Sequence, residues 1–201
     1  MHDQILIIDF GSQYTQLIAR RIRDFNVYCE IHPFNDIPEL KSNIKGVILS
    51  GSPYSVLDDH SPSIKVEDFS RSVPVLGICY GAQMIINNSN GIVDKSDKRE
   101  YGRATISILG KDSIFNSISV ESNVWMSHGD SIKKTPEHIE VLAKTSSIPV
   151  AAFKVTGHEF PVYGFQFHPE VTHTKDGKKM VSNFLFSICN CSLTFGVISN
   201  K

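Results

Sequence analysis

Gly77-Ile78-Cys79-Tyr80-Gly81 sets a potential nucleophile between two glycines, directly after the apolar run Val75–Ile78 and ahead of the helix-compatible segment Gly81–Ile86. This is the spacing of a nucleophile elbow, a tight strand-to-helix turn. Its central residue takes a strained backbone, and its neighbours must lack side chains that would collide. A thiol held there is expected to be presented rather than buried. The helix N-terminus favours its thiolate and lowers a pKa that is about 8.5 in free cysteine. The amide of Tyr80 is placed to donate to an oxyanion. Read alone, the pattern also fits a small core cysteine at a strand end.

A cysteine nucleophile needs a base, and the base needs an orienting group. Gly164-Phe165-Gln166-Phe167-His168-Pro169-Glu170 supplies both at the end of a strand-like run. Residues two apart in an extended chain share a side, and Pro169 disfavours helix, so His168 and Glu170 can act together. His168 would take the thiol proton and give one to a leaving amine, with Glu170 fixing the imidazole tautomer. The same residues also fit a loop histidine beside a surface acid. With His173 they form HxExxH, and Cys189-Asn190-Cys191 offers a thiol pair. Zinc usually takes four spaced ligands, and CxC inside a predicted helix turns its sulfurs to different faces, so no metal is expected. Two more stretches stand out: Ser50-Gly51-Ser52-Pro53, which exposes amides at the carboxyl edge of the sheet, and Trp125-Met126-Ser127-His128-Gly129-Asp130, a polar cluster read at a strand end. Each also fits an ordinary loop.

The elements that must position these residues read as α/β. Ile5–Ile8 is a short β-branched run typical of a strand buried on both faces, followed from Ser12, a plausible N-cap, by an amphipathic helix with Tyr14, Leu17, Ile18, Ile22 and Phe25 on one side. Val27–Ile31, Gly46–Leu49 and Val75–Ile78 continue a βαβ rhythm. The first half is therefore expected to be a doubly wound, mostly parallel sheet flanked by helices. Beyond Gly91, alternating segments such as Arg103–Ile108 add antiparallel strands, with further candidates at Asn123–Met126, Glu140–Ala143, Val150–Lys154 and Val162–Phe167. A last helix starts near Asp176, with Met180, Val181, Phe184, Leu185 and Ile188 on one face. The tail Ser192–Lys201 has no evident partner within the chain.

Composition narrows the function. The 201 residues, 41% hydrophobic, suffice for one substantial domain. Lys plus Arg number 20 against 21 Asp plus Glu, a net charge of −1 without like-charge blocks, so no nucleic-acid partner is expected. No apolar run is long enough to span a bilayer, and the opening MHDQILIIDF lacks the basic start of a signal peptide, so a soluble, cytoplasmic chain without a membrane partner is expected. Four cysteines (29, 79, 189 and 191) are too sparse for a disulfide framework and predict free thiols. Neither GxxxxGK nor GxGxxG is present, so nucleotide binding has no motif in this chain.

Taken together, GICYGAQ, HPEVTHT, WMSHGD, SGSP, Arg99-Glu100-Tyr101-Gly102 and Asp9-Phe10-Gly11-Ser12-Gln13-Tyr14-Thr15-Gln16-Leu17 resemble the class I (triad) glutamine amidotransferases over nearly the whole chain. DFGSQYTQL, WMSHGD and HPEVTHT resemble in particular the domains of that family that serve GMP synthetases. The resemblance implies a flavodoxin-like fold with L-glutamine as substrate. Cys79 would form a γ-glutamyl thioester, with His168 as base and acid and Glu170 as orienter. Oxyanion donors would be the amide of Tyr80 and one from the loop holding Gly51 and Ser52; that loop commonly reads SGGP, so Ser52 departs from the pattern. Gln83, Ser127, His128 and Gly129 match positions that hold the substrate's backbone groups. No cofactor is implied for this chain. ATP and magnesium belong to a synthetase domain or subunit that binds XMP, which the released ammonia aminates to GMP in purine biosynthesis, and that domain's SGGVDS-like motif does not occur before Lys201. The expected organisation is an amidotransferase domain over 1–191 and a tail over 192–201 leading to that synthetase domain, an excised domain being favoured over a separate subunit. A stand-alone γ-glutamyl hydrolase and a catalytically silent module of the same fold are the alternatives.

Overall fold

The computed structural model describes residues 2–192, except for the side chains of residues 96–100, which include Arg99 and Glu100. A strand with no polar alternation is stable only when both faces of its sheet are covered. Strand β1 (Gln4–Asp9) meets this condition. Ile5 and Ile7 enter one core together with Ile18 and Ile22 of helix α1 (Thr15–Arg23), while Leu6 and Ile8 enter a second. Parallel to β1 run β2 (Tyr28–Pro33), β3 (Ile44–Leu49), and then β4 (Val75–Ile78), which follows the short α2 (Glu67–Ser70). Helix α3 (Tyr80–Asn88) leaves β4 directly and fills the second core with Met84, Ile85 and Ile86. The chain then forms β5 (Ile92–Ile108), β6 (Glu121–Lys134), β7 (Ile139–Lys144) and β8 (Ala152–Val155), and returns through β9 (Val162–Phe165) to lie parallel beside β4. One nine-stranded sheet results, in the order β2-β1-β3-β4-β9-β8-β7-β5-β6. The expected doubly wound, mostly parallel sheet with added antiparallel strands is the fold that forms.

Several local expectations are corrected. Helix α1 starts at Thr15, not Ser12; the Ser12 hydroxyl instead accepts the Tyr14 amide at 3.0 Å in the turn before the helix. Its buried stripe is Thr15, Ile18, Ala19 and Ile22, which leaves Leu17 37% exposed and turns Tyr14 away from the core stripe. The Trp125–Asp130 cluster lies inside β6, because Val124, Met126, His128 and Asp130 keep the two-residue burial period through it. Helix α4 (Gly177–Ser182) runs on as a π-helical turn, Asn183–Ile188, that buries Phe184 and Leu185 and leaves Ile188 half-buried. Asn190 then takes φ +52°, a left-handed conformation asparagine tolerates, so Cys189 and Cys191 are not on opposite helix faces but share one core. The start of the tail does have a partner: the Ser192 amide and hydroxyl both donate to Asp3 Oδ2, at 2.7 and 2.6 Å. The rest of it, 193–201, lies outside the described residues. Among the described residues no helix is long and apolar enough to cross a membrane.

Candidate active site

The elbow is built by steric necessity. A Cβ on Gly77 would stand 2.7 Å from the Ala82 nitrogen, and one on Gly81 would stand 2.6 Å from the Leu49 carbonyl oxygen, so neither position accepts a side chain. Between them Cys79 takes φ +52°, ψ −103°, a conformation that costs a non-glycine residue about 1–3 kcal/mol. Neighbours hold it there: the Cys79 amide donates to the Phe165 carbonyl at 2.7 Å, its carbonyl accepts from Gln83 at 3.0 Å, and the Gly81 amide donates to the Ser50 carbonyl at 3.1 Å. The thiol is presented to a cleft rather than to open solvent, with only 6% of the residue exposed, and its hydrogen-bond contact is the Ser127 carbonyl at 3.8 Å. Cys29, Cys189 and Cys191 are buried elsewhere, and no disulfide joins any of the four. Burial pushes the thiol pKa of Cys29 up, that of Cys189 far up, and that of Cys191 to about 12.

His168 reaches the cleft from the end of β9. Its Nδ1 lies 2.7 Å from Glu170 Oε1, with both side chains almost fully buried, so Nδ1–H donates to the carboxylate and Nε2 is left for the cleft. Burial by itself disfavours the imidazolium. The Glu170 carboxylate and the Cys79 sulfur outweigh it and hold the His168 pKa well above the usual histidine value. The backbone of His168 is clamped by β6: its amide donates to the Trp125 carbonyl at 3.0 Å, and its carbonyl accepts from Thr174 Oγ1 at 2.5 Å, while that hydroxyl also accepts the Trp125 amide at 3.0 Å. The Tyr14 ring meets the imidazole edge-on at 4.9 Å, and Arg21 Nη2 donates to the Glu170 carbonyl at 2.9 Å.

The carboxyl ends of β1, β3, β4 and β9 open onto a cleft of about 760 Å³, closed on one side by β6. Open α/β sheets bind ligands at this edge. Cys79, His168, Gly51, Ser52, Tyr80, Gln83, Ser127, His128 and Gly129 all line it, and Glu170 stands behind His168. Gln83 is buried, and its side-chain amide donates to the Asp130 carbonyl at 2.9 Å, tying α3 to β6. His128 is buried, and burial pushes its pKa down to about 4 against an opposing backbone contact with Asp130, so the ring is neutral at pH 7. His173 packs against Trp125 in a tilted arrangement, with ring centroids 4.5 Å apart. Residue types alone point neither to Tyr14, whose spacing reads as helix stripe, nor to the Thr174 clamp; both stand inside the DFGSQYTQL and HPEVTHT runs, the signal by which they could be found.

The model of glutamine amidotransferase class-I matches residues 6–188. Among curated relatives, a glutamine-hydrolysing GMP synthase of Cytophaga hutchinsonii is 51% identical over 96% of this chain and 38% of its own length, and one of Brachyspira hyodysenteriae is 50% identical over 94% and 37%. The chain thus spans about 38% of the length of these relatives. A solved glutamine amidotransferase of Thermotoga maritima, 15% identical, superposes with a TM-score of 0.76 over 94% of this chain and 99% of its own, a likeness of fold. By sequence and by fold, this chain belongs to the class-I glutamine amidotransferase family.

Proposed function

We propose that this chain hydrolyses L-glutamine through Cys79, His168 and Glu170 and delivers the ammonia to an ATP-dependent synthetase domain or subunit that aminates XMP to GMP. The observation that carries the reading is a strained cysteine at a strand-to-helix elbow, sharing a cleft with a buried histidine whose far nitrogen is 2.7 Å from a carboxylate. In the first step the thiol proton passes to His168 Nε2 as sulfur attacks the side-chain amide carbon of glutamine. The oxyanion is met by the Tyr80 amide and an amide of the Gly51–Ser52 loop. The C–N bond then breaks, His168 protonates the departing nitrogen, and ammonia leaves a γ-glutamyl thioester on Cys79. Water attacks the thioester carbonyl, giving its proton to His168, and glutamate leaves as the proton returns to sulfur. Glu170 holds the ring in its tautomer and steadies the imidazolium.

Ammonia free in water is protonated and lost to the acceptor reaction, so the glutaminase is useful only when coupled. Support for GMP as the coupled product is the identity to glutamine-hydrolysing GMP synthases, whose length exceeds the matched part. ATP and magnesium belong to the synthetase part, and the amidotransferase unit is taken as residues 1–191 with a cytoplasmic setting. The test is glutamate release from glutamine by the chain and by Cys79→Ala, each alone and with a GMP synthetase ATP domain loaded with ATP, magnesium and XMP. The reading predicts activity that disappears with Cys79 and rises several-fold with the loaded partner. Glutamate release that survives in Cys79→Ala, or that the loaded partner leaves unchanged, contradicts it.

A further inference from the structure

Strands β1 and β3 pair in parallel up to Ile8 and Leu49, and the Ser50 amide adds one more bond to the Ile8 carbonyl at 3.0 Å. Continued by backbone alone, the ladder would next join the Phe10 amide to the Ser50 carbonyl, and the Phe10 carbonyl to the Ser52 amide. Side chains take both places. The Phe10 amide donates to Ser50 Oγ at 3.0 Å, and the Phe10 carbonyl accepts from Ser52 Oγ at 2.8 Å. The Ser52 hydroxyl also accepts the Tyr54 amide at 3.2 Å.

This substitution releases two backbone groups from the ladder. The Ser50 carbonyl accepts the Gly81 amide at 3.1 Å, locking the loop to the elbow. The Ser52 amide, like those of Gly51 and Tyr80, donates to no acceptor among the described residues, and all three residues line the cleft with Cys79. Ser52 has no positive φ, so its Cβ brings no backbone strain to a position where the family loop commonly carries glycine. A Cβ on Gly51 would lie 3.3 Å from Ser12 Oγ, which would have to give by a few tenths of an ångström, and in ordinary contact with His168 Cε1 at 3.6 Å.

We infer that Ser52 is a positioning residue for glutamine hydrolysis. Its hydroxyl stands in for the ladder bond that its own amide would make, so the loop is anchored to β1 while its amides stay available to the oxyanion. The inference rests on the function proposed above. An anchored donor is worth more than a mobile one because its dipole needs no reorganisation as charge develops. Its effect therefore falls on kcat rather than on substrate binding.

The experiment compares Ser52→Ala, Ser52→Gly and Ser52→Thr with the unmutated chain, reading kcat and KM for glutamine, the alkylation rate of Cys79 by 6-diazo-5-oxonorleucine, and the melting temperature. The expected result is a kcat about 10-fold lower in Ser52→Ala and Ser52→Gly, a KM within about twofold, an alkylation rate that falls with kcat, and recovery in Ser52→Thr, which keeps the hydroxyl. A kcat unchanged in Ser52→Ala overturns the inference and leaves the glutaminase reading intact. So does a loss of kcat tracked by an equal loss of melting temperature and not recovered by threonine, which marks a structural role only. No glutamine hydrolysis by the unmutated chain overturns both.

Discussion

The parallel and antiparallel parts of the sheet contribute to the cleft in different ways. In the parallel part, strands β1, β3, β4 and β9 end at one edge, and each delivers its functional residue from the turn just beyond its last paired residue: Phe10 to Tyr14, Ser50 to Ser52, Cys79, and His168. Geometry there comes from sheet topology, and backbone strain is concentrated in one turn, at Cys79. In the antiparallel part β5 lines the cleft with Lys95 and Tyr101, and β6 reaches the site as well. It does so with mid-strand residues, closing the cleft with Ser127–Asp130 and gripping His168 through Trp125 and Thr174. One part thus presents reactive groups, and the other holds them in register.

If that division is right, the largest effect comes from the strand ends. Cys79→Ala should lower glutamine turnover by about 10⁴- to 10⁶-fold with little change in melting temperature, since alanine keeps the Cβ that the strained backbone already carries and only one small sulfur is lost. Glu170→Gln should cost about 10²- to 10⁴-fold in kcat, because the orienting carboxylate is lost. It carries a pH signature as well. The folded His168 pKa lies above its unfolded value through Glu170 and Cys79, so this pair contributes stability that is fully present below about pH 6.5 and is lost as pH rises through the folded value. The melting-temperature gap between wild type and Glu170→Gln should therefore be wider near about pH 6 than near about pH 9, and a constant gap would count against a charged pair.

The grip from β6 should give a smaller, mixed effect. Thr174→Val removes a buried hydroxyl that serves two backbone groups, so about 2 kcal/mol of stability and roughly 10-fold in kcat are expected to go together. A Thr174→Val enzyme of full activity would erase the distinction between presenting and holding. Smallest of all is Val120→Ser, on the outer antiparallel turn, where the side chain is 70% exposed; its stability should stay within about 0.5 kcal/mol and its kcat unchanged.

The same division governed what could be read from residues alone. Buried parallel strands write themselves as short β-branched runs, so Val75–Ile78 is legible to the residue and the elbow with it. The pairing of His168 with Glu170 followed from a two-residue spacing about a proline, a local rule that needs no tertiary information. Long antiparallel strands are harder. Ser127, His128 and Gly129 look like a loop because they are polar, and only their pairing with β5 and the buried period of β6 reveal a strand. Tyr14 has an apolar ring at helical spacing, and nothing local shows that the helix starts one residue later and leaves the ring against His168. Asn190 is similar: its left-handed turn, which brings Cys189 and Cys191 into one core, answers to packing around the last turn and not to helix propensity.

If Cys79 alone of the four buried thiols is reactive, peptide mapping after treatment with 6-diazo-5-oxonorleucine will show it. The elbow and His168 single out Cys79, while burial holds the pKa values of Cys29, Cys189 and Cys191 high and their thiols protonated. The predicted result is a single adduct on Cys79 that is lost in Cys79→Ala and slowed in Glu170→Gln. Labelling spread evenly over the four cysteines, or an unlabelled Cys79, would contradict the account.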